Sequence, residues 1–382
     1  MALPSRSSHR FLSRNLSSLS GLRLHAESEK LDPIKPSRWR WPAEWEPHRA
    51  TWLVWPHNRE TWPTTFGEVQ ETFGQMVEAL SQVEQVCLVV RDDRHAETVG
   101  RVLESFRVKE NSIKFFSIKT DDSWVRDTGP VFVQEPSGSA IPLIFRFDSW
   151  GGKYPPWDFD DALGKELSLG TNRLPREADF VLEGGSIDGD GQGTVLTTES
   201  CLLRNRKEKG RNRTLMERRL FEWLGARKVI WLDGELAGDD TGGHVDDLAR
   251  FVAPSKVVVP TELDATDLNY PVLKQNRERL LRARDANENR LEVIKLPMPT
   301  PVFCDGVRCP ASYTNFYFAN ASLLLPVFGC ESDGEALEIF RNLLPDRSII
   351  PISARALVAG LGSIHCLTQQ EPICTSGSYS KD

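Results

Sequence analysis

The segment Gly360–Gln370 places Cys366 behind a glycine-rich stretch close to the C-terminus. A cysteine often serves only as a small hydrophobic residue in a protein core. A cysteine displayed on a turn can instead act as a thiolate nucleophile, provided that another group transfers protons for it. The choice between these roles depends on whether the rest of the chain supplies such partners.

His244 is the strongest candidate for the proton-transferring partner. It follows two glycines and stands two residues before Asp246. In an extended strand, these two side chains would share one face. His365 precedes Cys366 directly, and in an extended segment its side chain would point to the opposite face. We therefore expect His244, and not His365, to act with Cys366.

Two further carboxylates indicate the charge of the ligand. Asp127 lies among apolar neighbours in Trp-Val-Arg-Asp-Thr-Gly-Pro, and Glu183 ends an apolar strand before two glycines. Together with Asp246, these acids would crowd one site with negative charge, and burying unpaired charge is costly. A cationic ligand resolves this problem, and carboxylates bind a planar guanidinium well through paired hydrogen bonds.

The composition excludes several other classes of protein. The chain has 382 residues, a net charge of -7 and a pI near 5.7, so we expect no nucleic-acid partner. No apolar run reaches the roughly 18 residues of a membrane-spanning helix. The seven cysteines form no Cys-x-x-Cys pair, which predicts free thiols and a cytoplasmic location. Cys304 and Cys309 have no second pair or nearby histidine, so no metal is expected.

The N-terminal segment differs from the rest of the chain. It is rich in serine and arginine and contains no acidic residue before Glu27. Such a stretch resembles an organelle transit peptide, although a disordered extension is the interpretation that we favour. We expect residues 1–30 to be a disordered or processed extension and residues 31–382 to form a single catalytic domain.

A pattern of one helix followed by one strand recurs along the chain. The predicted pairs are Phe66–Leu80 with Val86–Val90, Glu97–Phe106 with Ile113–Ile118, Leu215–Leu224 with Val229–Leu232, Val272–Asn287 with Leu291–Leu296, and Gly334–Leu344 with Ser348–Ser353. Further apolar segments follow several of these pairs. A repeat of roughly 60–80 residues with several strands and one helix favours a radial array over a single doubly wound sheet.

Three polar, glycine-bearing segments follow the strands of this repeat. They are Trp124–Gly129, Thr241–Asp247 and Gly362–Cys366. If the repeated units are structurally equivalent, these segments lie at equivalent places and converge on one centre. The sequence therefore predicts a site built from residues that are far apart in the chain.

Several motifs closely resemble those of the agmatine deiminase and bacterial-type peptidyl-arginine deiminase family. The matching segments, collinear from Trp41 to Pro372, are Trp41–His48, Thr51–Pro56, Glu60–Pro63, Asp122–Pro130, Leu182–Ile187, Asp240–Asp246, Ala311–Tyr317 and Ile364–Gln370. The resemblance implies an α/β fold, a five-bladed propeller (pentein) of ββαβ-type repeats around a pseudo-fivefold axis. It also implies a hydrolase that converts a guanidinium into a ureido group and ammonia without metal or organic cofactor.

The resemblance also implies a role for each residue of the site. Cys366 attacks the guanidinium carbon and forms a covalent amidino-cysteine. Asp127 and Asp246 bind the guanidinium nitrogens. His244 protonates the departing ammonia and then activates water, while Glu183 orients His244.

Other positions concern the substrate pocket or depart from the family pattern. We expect Trp124 to line the pocket and to contact the alkyl chain or amine of a substrate. Leu361 stands where relatives commonly carry glycine, and Asp188 replaces a common histidine. The segment Trp150–Asp158 continues a shared Trp-Gly-Gly with Lys-Tyr-Pro-Pro, which we expect to shape the far end of the pocket.

Agmatine is the expected substrate, giving N-carbamoylputrescine and ammonia. The alternative is peptidyl or free arginine, which requires a group that binds the α-carboxylate or peptide. Arg126, Arg250 and Arg355 lie near the motifs, but no family-matched arginine is evident for this purpose. A hypothesis of another class is a non-catalytic guanidino- or polyamine-binding protein. A homo-oligomer is compatible with the sequence.

Overall fold

The computed structural model describes residues 38–171, 173–204 and 210–374. The described part contains eighteen strands: β1 His48–Val54, β2 Gln85–Val90, β3 Ile113–Ser117, β4 Val131–Gln134, β5 Ala140–Arg146, β6 Arg176–Val181, β7 Ile187–Gly189, β8 Thr194–Thr198, β9 Lys228–Leu232, β10 Arg250–Ala253, β11 Lys256–Thr261, β12 Glu292–Pro297, β13 Phe303–Cys304, β14 Val307–Arg308, β15 Tyr317–Phe318, β16 Ser322–Val327, β17 Ser348–Ser353 and β18 Gln369–Pro372. The predicted extension at residues 1–30 lies outside the described residues.

The same ranges contain nine helices, of which three are single turns. They are α1 Phe66–Ser81, α2 Asp93–Leu103, α3 Val125–Thr128, α4 Ser149–Gly152, α5 Asp158–Gly170, α6 Glu199–Leu202, α7 Arg213–Leu224, α8 Tyr270–Arg282 and α9 Ser332–Leu343. Within the described residues, no helix is both long and apolar enough to cross a membrane.

Five sheets of the described chain repeat one connection pattern. Each has a central strand that pairs antiparallel with one neighbour and parallel with the strand reached through a helix, as β4, β5 and β6 do around α5. The same order occurs in β7–β9, β10–β12 and β15–β17. In the remaining sheet β18 pairs antiparallel with β1, and β2 and β3 follow in parallel, so the last strand joins the first sheet.

Local sequence accounts for these elements. In α1, Phe66, Val69, Phe73 and Val77 recur at three- and four-residue spacing and form a buried stripe. The strand β2 that follows is a continuous apolar run because both of its faces are covered. Helices and strands thus bury the two sides of one core, as an α/β fold requires.

The predicted helix–strand pairs agree with this architecture, and among the described helices α5 is the one longer than a single turn that the pattern omitted. The sequence pattern gave the helix before each of β2, β3, β9, β12 and β17, with shifts of a few residues at the ends. It did not identify α5, which supplies the helix of the β4–β6 unit. The α/β class is confirmed.

The fold places the polar segments at equivalent positions. Each lies in the connection that leaves the parallel strand of one sheet and enters the antiparallel strand of the next. These connections contain α3 and the 3₁₀ turns Gly184–Ser186, Val245–Asp247 and His365–Leu367. Helix α3 contacts the first and last of these turns, and the first two turns contact each other. The connections therefore meet in space.

Candidate active site

Cys366 is buried in the 3₁₀ turn that follows β17. Its Sγ atom lies 3.2 Å from Nδ2 of Asn315 and 3.7 Å from Oδ2 of Asp246. Burial, together with the negative charges of Asp246, Asp247 and Asp127, raises the pKa of this thiol well above its usual value. This shift favours the neutral thiol, and a nearby positive charge would favour the thiolate.

The segment around Cys366 is not extended, and this corrects the prediction for His365. Because residues 365–367 form a 3₁₀ turn, the two-residue alternation of a strand does not apply. His365 Nδ1 lies 2.6 Å from Oδ2 of Asp246, the same oxygen that Cys366 approaches. His365 therefore belongs to the site, although it contacts Asp246 and not the sulfur.

His244 and Glu183 form a buried pair. The distance between His244 Nε2 and Glu183 Oε2 is 3.4 Å, and Cys201 Sγ lies 3.6 Å from the same carboxylate oxygen. Burial alone would lower the pKa of His244. The charge of Asp127 and the hydrogen bonds to Cys201 and Glu183 outweigh it and raise this pKa well above its usual value. His244 is thus poised as a proton donor.

His244 also lies outside a strand, contrary to the sequence prediction. It immediately precedes the 3₁₀ turn that contains Asp246. The two side chains nevertheless reach the same site, because the turn directs both toward the centre. Nδ1 of His244 and Oδ1 of Asp246 are two buried polar atoms for which the described residues provide no hydrogen-bond partner. Such unpaired buried groups require an explanation, and a polar ligand supplies one.

Asp127 is held by two donors from other segments. The backbone N–H of Gly185 donates to its Oδ1 at 2.8 Å, and Nε1 of Trp150 donates to its Oδ2 at 3.0 Å. His244 Nδ1 lies 3.8 Å from that second oxygen. Burial and the neighbouring acids Glu183 and Asp246 raise the pKa of Asp127. A bound cation would favour its charged form.

Gly185 marks the point on which these side chains converge. An ideal Cβ built on this glycine would lie 2.6 Å from His244 Nδ1, 3.0 Å from Asp127 Oδ1 and 3.1 Å from Asp246 Oδ2. Three segments that are remote in sequence thus meet around one backbone position. Glycine is required here because any side chain would collide with polar groups of the site.

A cleft of about 1180 Å³ leads to this centre. Cys366, Asp127 and Trp124 line it, and so do Lys153 and Tyr154. The volume is generous for a small ligand.

The segment that follows Trp150 crosses one side of the cleft. The side chains of Lys153 and Tyr154 donate to the backbone oxygen and carboxylate of Asp240 in the facing loop. The Lys-Tyr-Pro-Pro segment therefore forms part of the pocket wall.

Several neighbours of the site were not identified from the sequence. They are Asn315, which contacts the Cys366 sulfur, Trp150, which donates to Asp127, Cys201, which contacts Glu183, and Glu44, which contacts His365. Glu44 and Asn315 lie within recognised motifs, but their side-chain contacts come from tertiary structure. No periodicity in the sequence reveals such contacts.

One group of potential metal ligands occurs in the described part of the chain. Glu183, Cys201 and His244 each offer one donor atom, and these atoms lie within 4.8 Å of one another. The group includes the His244–Glu183 pair. A metal ion bound there would occupy Nε2 of His244 and the Glu183 carboxylate, which otherwise contact each other.

A nucleophile candidate, a proton-carrying histidine and paired carboxylates at the end of a cleft define an enzyme of the cysteine-dependent type. The chain matches the Porphyromonas-type peptidyl-arginine deiminase family over residues 40–372 and belongs to that family. The resemblance noted in the sequence is thereby confirmed, and the chain is a hydrolase that acts on carbon–nitrogen bonds of amidines.

Individual relatives cover nearly the whole chain. The agmatine deiminase of Pseudomonas aeruginosa (strain LESB58) is 34% identical over 356 residues, 87% of this chain and 95% of its own. The solved agmatine deiminase of Enterococcus faecalis is 34% identical, with a TM-score of 0.81 over 88% of this chain and 96% of its own. A cysteine-to-serine variant of the C. jejuni agmatine deiminase, solved with substrate bound, is 29% identical, with a TM-score of 0.79 over 87% and 96%.

Proposed function

We propose that this chain is an agmatine deiminase, which hydrolyses agmatine to N-carbamoylputrescine and ammonia through a covalent amidino-cysteine. One observation carries the proposal: Cys366 Sγ lies 3.7 Å from Asp246, beside unpaired buried atoms of Asp246 and His244. A guanidinium offers planar donors to the carboxylates and an electrophilic carbon to the sulfur. The agmatine deiminases among the relatives support the same substrate.

The substrate guanidinium would lie between Asp127 and Asp246. Oδ1 of Asp246 has no hydrogen-bond partner in the described chain and can accept from one nitrogen, while Asp127 accepts from another. These two carboxylates direct the guanidinium carbon at the sulfur, so the entropic cost of orienting the two reacting groups is met on binding. The positive charge also offsets the three carboxylates that hold Cys366 in its thiol form.

In the first half of the reaction, Cys366 loses its thiol proton to solvent as the guanidinium binds, and the thiolate attacks the guanidinium carbon so that a carbon–sulfur bond forms. The tetrahedral adduct collapses with rupture of one carbon–nitrogen bond. His244 donates its proton to the departing nitrogen, which leaves as ammonia. Its Nδ1 faces Asp127, on the side of the ring away from Glu183. Glu183 stabilises the protonated ring before transfer.

In the second half, His244 accepts a proton from water, and the resulting hydroxide attacks the amidino carbon. Collapse of this second adduct breaks the carbon–sulfur bond, its hydroxyl proton passes to solvent, and the ureido product leaves the Cys366 thiolate. One water is consumed, and one ammonia and one proton are released per turnover. His244 has returned to its protonated form and Cys366 regains a proton from solvent, so the cycle closes without net change in the protein.

Two of the three arginines near the motifs are already engaged in buried ion pairs. Arg126 and Arg250 are buried and directed at Glu44, at N–O distances of 3.3 and 2.9 Å, and Arg250 also pairs with Asp188. Neither is free to bind the α-carboxylate of an amino acid. Deimination of peptidyl or free arginine is the second candidate, because the matching family carries the name of that activity.

We infer that the five sheets are the blades of a five-bladed propeller around a pseudo-fivefold axis, since their connections meet at the site. Residues 31–382 would form one catalytic domain. None of the seven cysteines, all of which lie in the described residues, is joined in a disulfide, which suits a reduced nucleophile in the cytoplasm.

Ammonia release from agmatine, free arginine and an arginyl peptide, measured side by side, tests the substrate. We expect the largest kcat/KM for agmatine. A larger value for arginine or the peptide would replace agmatine by the second candidate. Absence of release from all three, with Cys366→Ala as the blank, would contradict the deiminase mechanism.

A further inference from the structure

His365 connects the candidate site to a buried carboxylate that touches no reacting group. Its Nδ1 lies 2.6 Å from Oδ2 of Asp246, and its Nε2 lies 2.9 Å from Oε2 of Glu44. All three side chains are buried, Asp246 completely. The chain Glu44–His365–Asp246–Cys366 is continuous at hydrogen-bond or contact distance.

The two contacts occupy both ring nitrogens of His365. A neutral imidazole has one N–H donor and one acceptor nitrogen, whereas an imidazolium has two donors. Each nitrogen faces a carboxylate oxygen, of Asp246 on one side and of Glu44 on the other. Only the imidazolium form of His365 can donate to both of these oxygens.

Glu44 is itself fixed from several directions. Arg250 and Arg126 pair with it at 2.9 and 3.3 Å, and the backbone N–H of Phe318 donates to it at 2.9 Å. These contacts come from α3 and from the strands β10 and β15, which are far apart in the sequence. Glu44 therefore cannot follow His365 if the ring moves, and it provides a fixed anchor.

We propose that His365, anchored by Glu44 and donating from both ring nitrogens, is a positioning residue that directs the Asp246 carboxylate at the guanidinium. His365 does not exchange protons with the substrate, because both of its nitrogens are occupied. It leaves Oδ1 of Asp246 available for the ligand while it holds Oδ2. This inference rests on the proposed function and specifies which group prepares the carboxylate clamp.

Alkylation of Cys366 tests the inference without turnover. Two reagents of similar size are compared: chloroacetamidine, which is cationic, and chloroacetamide, which is neutral. In the unaltered protein we expect a strong preference for the cation, because Asp127 and Asp246 attract it. The Cys366→Ala variant shows which part of the signal belongs to this cysteine.

The informative variants are His365→Gln and Glu44→Gln. Each should lower the preference for the cationic reagent, and raise KM for agmatine, by at least about tenfold, since a charge-assisted hydrogen bond to Asp246 is weakened. If Glu44 acts through His365, the double variant should be no worse than His365→Gln alone. Fully additive losses would contradict that coupling.

Glu84→Gln is the matched control. Glu84 lies 3.4 Å from His48 in another buried histidine–carboxylate pair. We expect it to change thermal stability while the reagent preference stays within about twofold, because within the described residues Glu84 contacts neither His365 nor the Glu44 carboxylate, and His48 reaches only the backbone oxygen of Glu44. A loss equal to that of Glu44→Gln would attribute the effect to general destabilisation and overturn the proposal.

The outcomes separate this inference from the proposed function. If the unaltered protein shows no preference for the cation, the carboxylate clamp fails and the deiminase mechanism fails with it. If the preference is present and survives in His365→Gln, only the positioning role is wrong. Should the variants not fold, nitrogen-15 NMR of the histidine-labelled full chain decides: two protonated ring nitrogens at His365 support the proposal, and one contradicts it.

Discussion

The Nδ1 atom of His244 would lie 2.6 Å from a Cβ atom placed on Gly185. This relationship joins the connection after β6 to the connection after β9, and Asp127 and Asp246 approach the same point. The site thus has space for a flat ligand but none for a methyl group on that backbone. Convergence around a glycine explains how polar residues from distant segments form one clamp.

Gly185→Ala should reduce kcat/KM for agmatine by at least about 100-fold, because displacing reacting groups by about 1 Å has effects of that size. Steady-state kinetics and circular dichroism check this result. Gly67→Ala is the control, since a Cβ at Gly67 has no neighbour within 4 Å. Equal activity of the two variants would show that the space beside Gly185 is not used.

Asp246→Asn should have opposite effects on turnover and on thiol reactivity. Turnover should fall at least about 100-fold, because one arm of the guanidinium clamp loses its charge. The negative charge of Asp246 raises the pKa of Cys366, so its removal lowers that pKa. Alkylation of Cys366 by neutral iodoacetamide at pH 8 should therefore become faster. Slower alkylation would contradict this electrostatic account.

The pH dependence of alkylation provides a further prediction. Burial and the surrounding acids raise the pKa of the Cys366 thiol above its usual value. In the free protein, the rate with iodoacetamide should keep rising with pH beyond pH 9, where an ordinary cysteine begins to level off. Mass spectrometry of the modified peptide measures the reaction rate at Cys366. A rate that reaches a plateau near neutral pH would mean that the thiolate forms without substrate.

Trp150→Phe should raise KM for agmatine by about tenfold, since Asp127 loses a buried hydrogen-bond donor. Trp150 has a positive φ of 52°, an uncommon conformation that presents its indole to this carboxylate. Trp223→Phe, in a separate core cluster, is the control and should affect stability more than KM. An unchanged KM in Trp150→Phe would remove Trp150 from the binding site.

Asp188→Asn should destabilise the protein by about 3–5 kcal/mol, because it leaves the buried Arg250 guanidinium without one of its partners. Urea unfolding gives the free energy directly. Asp188 departs from the common family residue, and its contacts to Arg250 and to the Phe251 backbone give it a structural role. A change below about 1 kcal/mol in the free energy of unfolding would mean that the ion pair with Glu44 alone stabilises the buried Arg250 guanidinium.

The sequence was most informative where local pattern determines structure. Apolar periodicity identified helices such as α1 and strands such as β17, and polar glycine-bearing segments indicated where the site lies. The connection geometry was not predictable in this way: His244 and His365 were interpreted with the two-residue period of a strand, but both belong to turns. Helix α5 was missed because acidic residues and glycines interrupt its apolar stripe.

The contacts that link segments lay beyond the reach of pattern. Glu44 and Asn315 are ordinary polar residues in the sequence, and only folding brings one to His365 and the other to Cys366. A buried network of ion pairs leaves no pattern in a local stretch of sequence, because its members pair with residues that are far away in the chain. Roles that depend on such networks require coordinates.

Mass spectrometry of the protein quenched in acid during turnover of agmatine tests the central claim most directly. A covalent intermediate predicts an added amidino group, carrying the aminobutyl chain of the substrate, on the peptide that contains Cys366 and on no other cysteine. The adduct should be absent in Cys366→Ala. An adduct on another residue, or rapid turnover with no adduct under any quench time, would contradict a nucleophilic role for Cys366.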